Sequence, residues 1–354
     1  MGYIDIEAED IYKLENRILV DIRSPQEYRE FHIPGAINVP LFENDEKKLI
    51  GYIYRTQGVE KAKEVGENIA RRKLEEFYRI FKELKEKHSN VVVYCWRGGM
   101  RSKGMCEAMS RLGLELLRLR GGYRAYRQFM LRDMEHILET VRFIVLTGRT
   151  GVGKTKVLNI LKEEGYPVID LESLAQDRGS VFGNVGISQR VSQKMFESML
   201  YEELRKLKGK FVFIEDESRR VGNIHIPDAL WRRKEQGVYV EITADIKSRV
   251  RNILEDYTRS EGWQKEVLVA LSKIRKYLGP QRHKEAVELL KLGNYPVLVE
   301  FLIREYYDKR YKLFGKPVTS VDCTDIRRCV DRLKDFYHRL SHEGKVPNTS
   351  LHTG

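Results

Sequence analysis

The chain has 354 residues, too many for one ordinary hydrophobic core and a comfortable length for two domains. A hydrophobic fraction of 42%, a charged fraction of 33% and no apolar run near the roughly 18 residues that cross a bilayer argue for a soluble globular protein and against a membrane role. The formal charge of +12 is uneven: 25 basic against 23 acidic residues stand up to position 140 and 39 against 29 after it, so the second half carries nearly all the excess and suits a polyanionic partner, although a solvated basic surface explains it equally.

The N-terminal segment MGYIDIEAED is acidic and lacks a basic, apolar leader, so no secretory signal is expected, and Ile6 argues against myristoylation. A cytoplasmic protein with reduced thiols is the expectation. Cys95, Cys106, Cys323 and Cys329 lack CxxC spacing, which gives metal or disulfide frameworks little support. ILVDI at 18–22 and HIPGAINVP at 32–40 read as strand, turn and strand. From Leu41 to His88 the apolar residues take helical spacing, as in Leu74, Phe77, Tyr78, Phe81 and Leu84, which predicts a helical insertion. VVVYC at 91–95 is a continuous apolar strand, a helical pattern restarts at Ser102–Leu112, and Arg124–Thr140 reads as a helix leading without a Pro or Gly linker into a second buried strand, Phe143–Thr147. Strands follow at 211–214 and 238–242, a mainly helical region runs from Ile246 to about Phe314, and the stretch 341–354 reads as a disordered tail. Strands alternating with helices imply an α/β fold with parallel sheets, divided into domains at 1–140 and 141–335.

Cys95 falls where a parallel strand ends, the edge at which open α/β sheets place their ligands. The following WRGGMRS supplies two glycines and two arginines, so backbone N–H groups, a helix N-terminus and the cations Arg97 and Arg101 could together stabilise a thiolate. Cys95 is therefore the candidate nucleophile, against the plainer reading of a buried structural cysteine. Cys106, within the next helix, reads as core packing.

GRTGVGKT fits GxxxxGK[ST], with a strand before it and a helix after it. Its residues Gly148, Arg149, Thr150, Gly151, Val152, Gly153, Lys154 and Thr155 would cradle a diphosphate, with Lys154 as a point charge and Thr155 as a ligand to Mg²⁺. Glu215 and Asp216, after the strand at 211–214, are candidates for the acid that orders the metal's waters, though a solvated acidic turn would look the same. The loop demonstrates a diphosphate and leaves its bearer open, a nucleotide or an alkyl donor. RGSVFG at 178–183 could close over phosphates. FLIREYYDKRYKLFGK at 301–316 interleaves basic and aromatic residues, as an RNA contact or an amphipathic core helix would.

VDIRSPQEYREFHIPGAINVP at 20–40 resembles the N-terminal signature of rhodanese domains, and GGYRAYR at 121–127 resembles their C-terminal signature. The resemblance implies that Asp21 and Arg23 brace the loop, that His32–Pro34 form a structural turn, and that Cys95 carries sulfur or selenium as a persulfide or perselenide. Five residues separate Cys95 from Arg101, whereas single-domain rhodaneses often have four; the longer spacing is also the CX5R pattern of phosphatases with a rhodanese-like fold. CWRGGMRS followed by GRTGVGKT and EDESRRVGNIHIP resembles, over about residues 1–320, the tRNA 2-selenouridine synthase family. That implies a rhodanese-like parallel-sheet domain with a helical insertion, then a P-loop α/β domain with a mainly helical C-terminal part. It implies a transferase that alkylates the wobble 2-thiouridine of Lys-, Glu- or Gln-type tRNA with geranyl diphosphate and then replaces the S-geranyl group with selenium from selenophosphate, with selenophosphate synthetase as a possible partner. A CX5R phosphatase with a regulatory P-loop domain, or a P-loop kinase fused to a sulfurtransferase, are the alternatives.

Overall fold

A computed structural model describes residues 2–177, 191–257, 262–311 and 315–343. Contacts divide the chain into two compact units: residues up to Met134 together with Glu197–Glu202, and the remainder.

The first unit carries strands β1 (Ile4–Ile6), β2 (Arg17–Asp21), β3 (Ile37–Asn38), β4 (Asn90–Tyr94) and β5 (Leu117–Leu119). They form one parallel sheet in the order β1-β5-β4-β2-β3. Its helices are α1 (Pro25–Glu30), α2 (Asn44–Gln57), α3 (Val59–Arg72), α4 (Leu74–Lys87), α5 (Met100–Arg111) and α6 (Gly122–Thr140). β4 is apolar without alternation because it lies inside the sheet and Val91, Val92, Val93 and Tyr94 are all buried. α1 starts on a reciprocal capping box between Ser24 and Glu27, with Pro25 in its first turn. The helical insertion is α2–α4, and the periodic stripe on α4 is its inner face: Phe77 and Phe81 are buried, with Leu74, Tyr78 and Leu84 packed beside them.

The second unit contains β6 (Arg142–Thr147), β7 (Val168–Ile169), β8 (Phe211–Glu215), a small hairpin β9 (Arg220–Val221) and β10 (Ile224–His225), β11 (Val238–Thr243) and β12 (Thr319–Asp322). The main sheet is parallel, in the order β12-β11-β6-β8-β7. The helices are α7 (Lys154–Glu163), α8 (Leu171–Ala175), α9 (Gln193–Lys206), α10 (Asp228–Glu235), α11 (Ile246–Tyr257), α12 (Trp263–Leu278), α13 (Pro280–Lys291), α14 (Tyr295–Leu302), α15 (Asp308–Arg310) and α16 (Ile326–Glu343). α12, α13 and α14 bury a core of their own around Trp263, Leu271, Ile274 and Leu302.

The division between units falls inside α6, at Met134, six residues before the expected 140, and the segment Glu197–Glu202 of α9 joins the first unit, where Tyr201 donates to Asp133 at 2.7 Å. β1, β5 and β7 have only two or three residues, too few to show a period, and β12 pairs with β11 alone at a sheet edge, so none stood out in the sequence. HIPGAINVP yields only the two-residue β3; His32 instead stacks on Tyr28 and its Nδ1 meets the Tyr28 carbonyl at 2.8 Å. The expected tail from 341 begins within α16, and residues 344–354 lie outside the described residues. Cys323 and Cys329, expected as thiols, form a disulfide: the turn from β12 into α16 brings their Cα atoms to 4.9 Å, a span the bond bridges.

Candidate active sites

Cys95 follows β4 directly, and the loop after it is held by the residues that open α6. Tyr123 N–H donates to the Cys95 carbonyl at 2.9 Å and Arg124 N–H to that of Trp96 at 3.0 Å. Gly98 and Gly122 both have positive φ, and a Cβ on Gly122 would lie 2.2 Å from the Cys95 carbonyl oxygen. No other residue permits that approach. Below the loop Arg23 and Asp21 form a fully buried ion pair at 2.6 Å, and the guanidinium lies over the rings of Phe31 and Tyr123 at 4.8 and 5.0 Å. Arg23→Ala leaves the Asp21 carboxylate buried without its cation. The variant is expected to lose about 3–5 kcal/mol of stability in urea unfolding; a change below about 1 kcal/mol would remove the pair as the brace of this unit.

The sulfur itself departs from expectation. Cys95 is only 2% exposed and shares an apolar cluster with Val93, Met105 and Cys106. Its thiol donates to Ser102 Oγ at 3.3 Å, and that hydroxyl reaches the Gly99 carbonyl at 3.4 Å. The two arginines do not cup it. Arg97 is exposed, with no ion pair to a described residue, and Arg101 Nη1 lies 3.5 Å from Glu27, which also holds Lys47 at 3.1 Å. Burial works to raise the Glu27 carboxyl, yet Arg101 and Lys47 hold it below the usual range. The geometry of α5 explains the split: Arg101 and Ser102 are adjacent in its first turn, about 100° apart around the axis, so only one can face the sulfur. Ser102 escaped the sequence reading because its hydroxyl matters only through that register. Cys106 is fully buried, and burial pushes its thiol up to about 12.

In the second unit, the loop after β6 turns back on itself. Lys154 Nζ donates to the Gly148 carbonyl at 2.7 Å, and a Cβ on Gly148 would come 2.3 Å from the Ile242 carbonyl oxygen. α11 supplies two buried struts: Arg249 Nε donates to the Thr150 carbonyl at 2.9 Å and Asn252 Nδ2 to that of Gly151 at 2.9 Å. Asp308 accepts two bonds from Arg249 at 2.6 and 2.9 Å and one from Arg149 at 3.2 Å, so Arg149 is turned toward Asp308. Val152 is buried, and its N–H reaches the Arg149 carbonyl at 3.4 Å. Arg249, Asn252 and Asp308 lie roughly 100 residues or more beyond the loop they hold, which is why the motif alone did not reveal them.

The acid bonded to the loop's threonine is neither of the two expected. Asp216 is buried against Lys234 at 2.9 Å, and Glu215 is buried with its carboxylate accepting the Glu172 N–H at 3.0 Å. Both are spent on the protein's own groups. Thr155 Oγ1 instead donates to Glu172 Oε2 at 3.2 Å. Glu172 follows β7 in VIDLE, an acid just beyond a two-residue strand too short to be read. Burial, then the negative charges of Glu217 and Asp170, push its carboxyl up to about 8, while Lys154 pulls the other way. Glu215 and Glu217 are raised too, again by burial first. A hydroxyl and a crowded carboxylate beside a phosphate loop fit a hard divalent cation, which relieves the repulsion and takes its remaining ligands from phosphate and water. Among the described residues no group of three or more His, Cys, Asp or Glu could hold a metal unaided.

This crowding sets a pH dependence. A carboxyl whose folded pKa exceeds its unfolded value of about 4.5 favours the folded state while protonated. That contribution is complete below about pH 4.5 and is lost as pH rises through about 8. Thermal melts without divalent cation should show Glu172→Gln gaining on the wild type as pH rises from 5 to 9. Parallel curves would contradict the assigned crowding.

A cysteine loop at the carboxyl end of a parallel sheet, and a phosphate loop at the carboxyl end of a second one, define a rhodanese-like unit followed by a P-loop unit. The rhodanese-like domain model matches residues 7–129, and a model described as the tRNA 2-selenouridine synthase AAA domain matches 141–316. A tRNA 2-selenouridine synthase of Sulfurovum sp. (strain NBC37-1) is 30% identical over 326 residues, covering 84% of this chain and 88% of the relative. One from Pseudomonas fluorescens (strain Pf0-1) is 32% identical over 340 residues, covering 87% and 91%, and one from Nitrosomonas europaea is 29% identical over 355 residues, covering 87% and 92%. The chain belongs to the tRNA 2-selenouridine synthase family.

Proposed function

We propose that this chain is a transferase that converts the wobble 2-thiouridine of tRNA to S-geranyl-2-thiouridine with geranyl diphosphate, and then to 2-selenouridine with selenophosphate. The observation that carries the reading is a cysteine loop and a complete phosphate loop in the family's order, each at the carboxyl end of its sheet. A thiocarbonyl sulfur is a poor leaving group, whereas the S-alkyl group of an alkylated thiouridine departs as a thiol. In the first step the sulfur displaces diphosphate from the allylic carbon; Lys154 and the loop's N–H groups bind the departing diphosphate. Thr155 and Glu172 would hold Mg²⁺, which when bound supplies further positive charge at that leaving group.

In the second step selenium adds to C2 of the base, the C2–S bond breaks, and geranylthiol leaves with a proton; water then cleaves the selenium–phosphorus bond to release phosphate. Cys95, Arg97 and Arg101 receive selenophosphate. Because Arg101 rests on Glu27 and Cys95 lies under Ser102, an incoming dianion would compete with Glu27 for the guanidinium and uncover the sulfur. The basic excess of the second half suits tRNA. In the segment 301–316 the described side chains divide: Leu302, Ile303 and Tyr306 are buried, Arg304 and Lys309 pair with Glu300 and Glu305, and Arg310 lies over Tyr277 at 4.1 Å. RGSVFG lies outside the described residues. Mass spectrometry of tRNA nucleosides from cells with and without this protein, grown with selenium, tests the whole reading: 2-selenouridine present in both would overturn it.

A further inference from the structure

Between the helical insertion and α5, within the first unit, lies an open cavity of about 870 Å³, of whose lining the chemistry above uses only Arg101. Its size is within the range of roughly 300–1,000 Å³ typical of small-molecule sites. Phe42, Ile50, Ala62, Leu74, Phe77 and Met105 give it an apolar interior. Three large apolar side chains at its edge are left in water, Tyr54 at 55%, Val59 at 46% and Met100 at 68% exposure, a grouping that single scattered surface residues do not produce. The polar lining is mainly cationic: Lys63, Arg71 and Arg111 stand beside Lys47 and Arg101, which share Glu27, and Lys103, which pairs with Glu107, and Glu67 is the other acid.

Two glycines add an independent observation. Gly51 in α2 and Gly104 in α5 sit inside helices, where glycine is destabilising relative to alanine, and a Cβ on either would meet no atom within 4 Å. No packing within the protein demands them. Both line the cavity. Met100 and Arg101 close the Cys95 loop and also line this space, so an occupant reaches the cysteine loop at one end.

We infer that this cavity binds the isoprenoid chain of the S-alkylated base during the exchange of sulfur for selenium, with its cationic rim on the flanking RNA phosphates. The inference rests on the function proposed above and adds a binding site to it. An apolar chain of about ten carbons matches the interior, and a polyanion matches the rim. Such a site also explains how an alkylated base is preferred at the second step: the chain is bound by burial of its methylenes, each contributing about as much as in a protein core.

The test uses the full-length protein and an anticodon stem-loop RNA carrying either S-geranyl-2-thiouridine or S-methyl-2-thiouridine, with binding read by fluorescence anisotropy. Wild type is expected to bind the geranylated RNA at least about tenfold more tightly. Gly51→Leu with Gly104→Leu fills the space while improving helix propensity, so a preference near one, with unchanged affinity for the S-methyl RNA, supports the site. The two single variants, on different walls, serve if the double variant does not fold, and each should reduce the preference severalfold. A full preference in folded variants overturns the cavity assignment alone, as does a wild type that binds both RNAs equally. A wild type that binds neither RNA overturns the tRNA reading and the assignment together.

Discussion

Cys95→Ser is expected to leave tRNA alkylation near the wild-type rate and to lower selenium insertion by about a hundredfold or more, the scale seen when a reactant is held out of place. Serine is close in size and can keep the bond to Ser102, so the apolar cluster around position 95 should survive and the melting temperature should change little. The measurement is a separation of products: geranylated thiouridine should accumulate in the variant while 2-selenouridine does not form. Normal selenium insertion by this variant would show that Cys95 is only a core residue, as its burial by itself suggests. Ser102→Ala is the companion experiment. Ser102 touches the sulfur and acts through it, so its loss should shift the pH profile of selenium insertion while leaving alkylation alone.

The second large effect is expected for Lys154→Ala, with alkylation reduced by about 100- to 1,000-fold, as for removal of one preorganised charge at a leaving group. Lys154 has two tasks in the structure. It closes the loop on the Gly148 carbonyl, and its charge opposes the burial that raises the carboxyls of Glu172 and, together with Lys234, of Glu217. Its removal should therefore also move the Glu172 transition upward in pH, which a pH series of thermal melts reads independently of activity. Selenium insertion into RNA supplied already geranylated should be spared. If alkylation by the variant is undiminished, the phosphate loop does not serve the alkyl donor, and a nucleotide becomes its natural ligand.

Both experiments concern loops that are legible in the amino-acid sequence, and the reason is their compactness. In CWRGGMRS and GRTGVGKT the strand end, the glycines and the first helical turn are contiguous, so spacing along the chain reports geometry directly. The parallel α/β architecture with a helical insertion is legible on the same ground, since VVVYC and FIVLT are unbroken apolar runs and the α4 stripe carries its period within a few residues. What neighbours what across the fold is not. That Arg101 is taken by Glu27, 74 positions away, that Asp216 belongs to Lys234, and that Thr155 meets Glu172 follow from strand order and helix register.

The sequence by itself thus determined the chemistry available at each loop: a cysteine with cations close by in the chain, and a phosphate cradle with its lysine and threonine. Only the tertiary structure decided which of those groups are free to act, because a charge is committed by whichever partner burial brings within about 4 Å, and that partner is usually distant in the chain. The cavity beside the cysteine loop belongs to the same category. Gly51 and Gly104 are ordinary letters in two helices until the fold places them on the walls of one open space.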